Sequence, residues 1–177
     1  MKDDKERAAT ELGYEDYQAY LGAFCTALQE RLGDDLVALI LYGSVARGEA
    51  RPESDVDLLV IVRNAPAVYY ERLQPVLAAE QALRHSPAAQ ALAWRGLIPY
   101  LGYLIFSEEE AQENRYIFLD MVEEGKILYD PQEFFARRLQ ALRERLAQLG
   151  SRRVRLEDGS WYWDLKPDLV LGEVFEL

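Results

Sequence analysis

Two aspartates, Asp55 and Asp57, stand two apart at the head of the apolar run VDLLVIV, and a Gly-Ser pair, Gly43 and Ser44, follows an earlier apolar run. Residues two apart on a strand project to the same side, so the two carboxylates converge while Val56 faces the opposite layer. Carboxylates held close together repel strongly unless a cation or hydrogen bonds offset the repulsion. The pair therefore predicts a hard divalent cation, Mg2+ or Mn2+, held by Asp55 and Asp57.

The other half of the motif supplies what such a cation would accompany. Gly43 lets the backbone turn sharply and approach a ligand closely, because it carries no Cβ. Ser44 falls at the N-cap of a short helix, VARGEA, whose free amides and dipole favour an anion. Arg47, one turn further, has forked donors suited to the same phosphates. Ser54 opens the Ser-Asp-x-Asp run and is grouped with Gly43, Ser44 and Arg47 as a nucleotide-binding residue. Gly-Ser turns and Asp-x-Asp pairs are each common turn chemistry. Strand, Gly-Ser, helix start, Ser-Asp-x-Asp and strand in that order are far more specific.

The elements around the motif follow from periodicity. Residues 14–32 carry apolar side chains at 17, 20, 21, 24, 28 and 32, a helical stripe closed by Gly33. DLVALILYGS and VDLLVIV read as buried strands. Residues 67–85 read as a helix with a break near Pro75, since an interior proline removes a donor and clashes with the preceding turn. The run 97–107 is a third strand, whose Pro99 suggests an edge or irregular pairing. Ser107 followed by Glu110 is a capping-box pattern that would open the next helix, closed by Gly125. KILYD is a short strand, and residues 131–149 form a last long helix ended by Gly150. The sequence EDGS between RVRL and WYWDL signals a hairpin turn. This alternation implies α/β or α+β layers. No domain boundary is visible: one unit over 1–177 is expected, with a core at about 14–130, the helix 131–149 and a hairpin tail 151–177.

Composition narrows the chemistry further. The chain has 177 residues, half of them hydrophobic, which suffices for one well-buried domain. A single cysteine, Cys25, and a single histidine, His85, exclude an internal disulfide and a Cys/His zinc site, so any metal is held by oxygen. The N-terminal MKDDKERAATELGYEDY has no apolar targeting segment, and no apolar run is long enough to span a bilayer. A cytoplasmic protein without a membrane partner is expected. The net charge of -11 argues against a surface built wholly for nucleic acid. Residues 131–155 nevertheless hold seven arginines against two glutamates. They read first as a solvated helix face, with RNA or an acidic partner still open.

The stretch GSVARGEARPESDVDLLV resembles the signature of the nucleotidyltransferase superfamily of the DNA polymerase β type, above all its small stand-alone, minimal members. The motif resemblance covers Leu41 to Val62, and the order of elements is similar to about Asp130. The resemblance implies a small mixed sheet flanked by helices, extended here by the C-terminal helix and hairpin. It implies transfer of a nucleoside monophosphate from an NTP, ATP being the first choice, to a hydroxyl, with pyrophosphate leaving. Gly43 and Ser44 would hold the triphosphate, Arg47 would assist, and Asp55 and Asp57 would bind the metals and be the catalytic pair.

One departure stands out. The superfamily usually places a third carboxylate on a later strand, but LIPYLGYLIF has neither Asp nor Glu. Tyr100 and Tyr103 are poor substitutes, since a neutral phenol with a pKa near 10 is a weak ligand and base. Glu108 to Glu110 are better explained as capping residues, and Glu49 or Asp164 are other candidate bases. Three readings follow: a nucleotidyltransferase with an altered site, an NTP-binding module without turnover, or the nucleotidyltransferase partner of a toxin-antitoxin pair. The acceptor stays open between a small molecule and a protein, and homo-oligomers remain compatible. In the tail, Trp161 and Trp163 share one face of a strand. They either cover the small sheet or return to the nucleotide with Lys166, and the first reading is preferred because aromatic stripes are usually core.

Overall fold

The structure is a computed structural model that describes residues 11–177; the first ten residues, on which the absence of a targeting segment was mainly read, lie outside the described range. Four strands form one sheet in the order β3-β2-β1-β4, with β1 Leu36–Tyr42, β2 Val56–Val62, β3 Leu101–Ser107 and β4 Lys126–Tyr129. β1 runs antiparallel to both β2 and β4, whereas β2 and β3 are parallel. The sheet is therefore mixed, as the fold class requires.

The apolar runs are continuous because the central strands are covered on both faces. One cluster packs Leu39, Leu41, Leu58 and Val60 against α1 (Tyr14–Leu32), α3 (Tyr69–Leu83) and α4 (Pro87–Trp94). The other packs Ile40, Leu59 and Ile61 against α5 (Tyr116–Glu124) and α6 (Phe134–Gln148). Between β1 and β2 lies the five-residue α2, Gly43–Arg47. A separate hairpin of β5 (Arg152–Arg155) and β6 (Trp161–Asp164) sits by α5, with Trp163 packed on the second cluster. Among the described residues, no helix is long and apolar enough to cross a membrane.

Several expectations shift in detail. α3 runs unbroken through Pro75, because its buried face, Val76, Ala79 and Leu83, is anchored in the core on the far side of the proline. α4 was not anticipated, although Ser86 and Pro87 are a serine cap and an N1 proline, and the Ser86 hydroxyl accepts the Ala89 amide at 3.1 Å. β3 begins at Leu101 rather than 97 and is an edge strand, with Pro99 ahead of it. The Ser107–Glu110 capping box forms, at 3.0 Å and 2.7 Å, but opens only a 3-10 turn, Glu110–Gln112. Arg72 draws Glu110 aside at 2.5 Å, and α5 starts six residues later. α6 starts at Phe134 because the Asp130 carboxylate accepts the amides of Phe134 and Ala136, both at 2.8 Å.

Candidate functional site

Register decides what meets at the mouth of the sheet. Asp57 on β2 lies between Tyr42 of β1 and Gly102 of β3, and alternation turns Asp57 toward the face covered by α5 and α6. Gly43 follows Tyr42 with φ +76, a conformation that glycine adopts without strain. A Cβ on Gly43 would overlap Oδ2 of Asp57, and one on Gly102 would stand 3.1 Å from Oδ1. Two glycines thus make a niche for one carboxylate.

That carboxylate is half-buried, and no donor of the described residues is hydrogen-bonded to it. Burial raises its pKa above the ordinary value of 3.8, Asp55 adds to the rise, and Arg47 opposes it. Asp55 sits just before β2 and is exposed. Strand alternation does not reach Asp55, which precedes β2, but the Asp57 carboxylate, in a niche without side chains and with the Asp55 charge close enough to act on it, offers hard oxygen donors that fit a hard divalent cation. Among the described residues no group of three or more His, Cys, Asp or Glu could hold a metal. Ligands beyond Asp55 and Asp57 would have to be phosphate oxygens and water.

The other expected residues divide. Ser44 is not the N-cap: α2 begins at Gly43 with Tyr42 as its cap residue, so Ser44 lies inside the first turn. Gly48, in the left-handed conformation at φ 76, ends the helix before the expected Glu49 and Ala50. Arg47 is near enough to influence Asp57, but its Nε donates to Glu49 at 2.8 Å and its Nη1 lies 3.4 Å from Glu124. Ser54 closes a turn, its hydroxyl accepting the Arg51 amide at 2.9 Å. That contact gives it a local structural task.

The candidates for a third carboxylate are placed elsewhere. Glu108, Glu109 and Glu110 follow the far end of β3, where they meet Arg63, Ser107 and Arg72. Asp57 pairs with the opposite end of that strand, so these acids do not approach it. Glu49 is engaged by Arg47 and Asp164 by Arg152. Tyr103 points away: its hydroxyl donates to Glu80 at 2.8 Å and its ring stacks on Phe24. At the ladder position beside Asp57 stands Gly102.

Tyr42 and Gly102, the ladder neighbours of Asp57, escaped the sequence reading, whereas a return of Trp161 to the nucleotide motif was the less preferred of two readings. Tyr42 is Asp57's partner across the sheet, and burial together with the Asp57 charge pushes its phenol up to about 12. Trp161 reaches Arg47, with the guanidinium carbon 4.8 Å from the ring centroid. Lys166 does not join it, being paired with Asp168 and Glu173. The Arg-rich segment is largely spent on internal contacts: Arg138 to Asn114, Arg143 to the Val122 carbonyl, Arg145 to the Glu176 carbonyl and Arg153 to Glu124.

Comparison with known proteins agrees with this architecture. The nucleotidyltransferase domain model matches residues 23–156, about three-quarters of the chain, and the chain belongs to that family. It is 52% identical over 46 residues to the Putative protein adenylyltransferase of Methanocaldococcus jannaschii, covering 26% of this chain and 31% of that protein. The match thus spans less than a third of the relative's length. Similar solved chains include one from a toxin-antitoxin with AMP-PNP, at TM-score 0.42 and 14% identity over 73% of this chain and 92% of that one. Another comes from the tri-AMPylated Shewanella oneidensis HEPN toxin in complex with MNT antitoxin, at TM-score 0.38 and 14% identity over 75% and 92%.

Proposed function

We propose that this chain transfers a nucleoside monophosphate from an NTP, ATP in the simplest case, to a hydroxyl group of a protein. The observation that carries this reading is the Asp57 carboxylate, unpaired and lodged between the Gly43 and Gly102 backbones with Asp55 two residues away. Family membership supports nucleotidyl transfer, and the name of the Methanocaldococcus relative supports a protein acceptor.

In the reaction the acceptor oxygen attacks the α-phosphorus, the bond from that phosphorus to the α,β-bridging oxygen breaks, and pyrophosphate leaves while the hydroxyl proton passes to solvent. Asp55 and Asp57 would hold Mg2+, which when bound neutralises phosphate charge and lowers the pKa of a coordinated hydroxyl. The turn at Gly43 and Ser44 would receive the β- and γ-phosphates, and Arg47 would add positive charge to the leaving group. β2 lies between the strand that carries this turn and β3. In-line displacement then brings the acceptor from the β3 side, over Gly102.

A specific observation favours a second reading, NTP binding without turnover. Gly102 occupies the strand position beside Asp57 where a third acid could have activated the acceptor. Incubation with ATP, Mg2+ and a cell extract as the source of acceptors separates the two. The transferase reading expects pyrophosphate release that is lost in Asp55→Ala. Metal-dependent ATP binding with no pyrophosphate would establish the binding module instead. A small protein that copurifies stably would point to a paired partner for either role.

A further inference from the structure

The C-terminal hairpin carries an aromatic ring to the cation beside the nucleotide motif. Arg47 lies over Trp161 at 4.8 Å from the ring centroid, and Arg153 lies over the same ring at 5.1 Å. The indole is itself fixed, since its Nε1 donates to Asp120 of α5 at 3.1 Å. One helical turn further along α5, Glu124 binds both arginines, Arg47 through one carboxylate oxygen and Arg153 through the other. Arg47 is thus held by side chains from α5 and β6 and by its near neighbour Glu49. Its Nη2 has no hydrogen-bond partner among the described residues.

The cluster pairs Arg47, Arg153 and Arg155 with Glu49, Glu123 and Glu124, so what Arg47 has left to offer a ligand is its open Nη2. Glu124 is shared with Arg153, and Glu49 has Arg155 at 3.9 Å. A free arginine side chain has several rotatable bonds to immobilise on binding, and so rotamer entropy to lose. In this arrangement much of that loss is already incurred on folding, which leaves more of the contact energy to a ligand.

We infer that Trp161, together with Glu124, is a positioning residue for the triphosphate, holding Arg47 with Nη2 free for a phosphate oxygen. The inference rests on the nucleotide reading above and extends the site to the hairpin, which is otherwise a cover for α5. A merely structural Trp161 would lower stability without acting through Arg47.

The test is a double-mutant cycle read by titration calorimetry, with ATP plus Mg2+ and, separately, with inorganic tripolyphosphate plus Mg2+. Trp161→Leu is expected to weaken both ligands by about threefold to tenfold, the range of a cation-π contact. Trp161→Phe should recover most of that loss. In an Arg47→Gln background Trp161→Leu should cost nothing further. Should Trp161→Leu fail to fold, Trp161→Met, which keeps more of the side-chain length without an aromatic face, carries the same expectations. Wild-type affinity in the folded variants, or a loss that is equal with and without Arg47, would overturn the inference while leaving the nucleotide reading intact. A wild-type protein that binds neither ligand would overturn both.

Discussion

Gly43 and Asp57 are matched so closely that a single methyl group on the glycine would overlap the aspartate's Oδ2 and stand 3.1 Å from its Cγ. Gly43 also has φ +76, where a side chain is strained. Gly43→Ala is therefore expected to cost about 1–3 kcal/mol of stability in urea melts. It should also reduce Mg2+-dependent ATP affinity by at least about tenfold, or about 1.4 kcal/mol, because Asp57 must move.

Asp57 is a place where stability and function oppose one another. Burial and Asp55 raise its pKa in the folded chain, so between pH about 4 and the raised value the folded state binds more protons than the unfolded one. Stability then falls as pH rises through that window and stays reduced above it. Asp57→Asn removes the effect and is expected to raise Tm at pH 7 by about 1–4 °C, while abolishing metal-dependent ATP binding. Scanning calorimetry at pH 4 and pH 7 should find the gain at pH 7 and little of it at pH 4.

Glu110 behaves in the opposite sense. Its bond from Arg72, followed by the amide of Ser107, holds its carboxyl below the ordinary 4.5. The stabilisation it gives is present above pH 4.5 and is lost as pH falls through the lowered value. Glu110→Gln is expected to cost about 1–2 kcal/mol at pH 7 and to leave ATP binding unchanged, since Glu110 lies at the end of the sheet away from Asp57. A loss of metal affinity in this variant would return Glu110 to the list of ligands.

Pro75 sits seven residues into a helix without breaking it. The intrinsic penalty remains, so Pro75→Ala should stabilise the protein, by about 1–3 kcal/mol on the interior proline scale. Chemical denaturation with an unchanged m-value would check this.

The fold was legible wherever local pattern and burial agreed. The stripe of residues 14–32 and the two apolar runs around the motif became α1, β1 and β2 at nearly the expected bounds, because each is buried along the face or faces its period indicates. Pro75 misled because tertiary packing of Val76, Ala79 and Leu83 outweighs a local penalty. The capping box at Ser107 misled because a cap fixes a turn, and whether a helix follows depends on where the chain is drawn next, here by Arg72. At the site, Gly43, Arg47, Asp55 and Asp57 were readable from spacing within one segment. Tyr42 and Gly102 were not, since their places depend on strand register, and Trp161 was weighed there but not preferred, since its place depends on the docking of a hairpin more than a hundred residues away. The Asp-Gly turn signalled that hairpin but not where it would dock.

Titration of ATP into the protein with and without Mg2+, with the Asp55→Ala, Asp57→Ala double variant as control, tests the central claim most directly. The account predicts binding that requires the metal and disappears in the double variant. Metal-independent binding that survives the double variant, or no binding of ATP or any other NTP to the wild type, would contradict it.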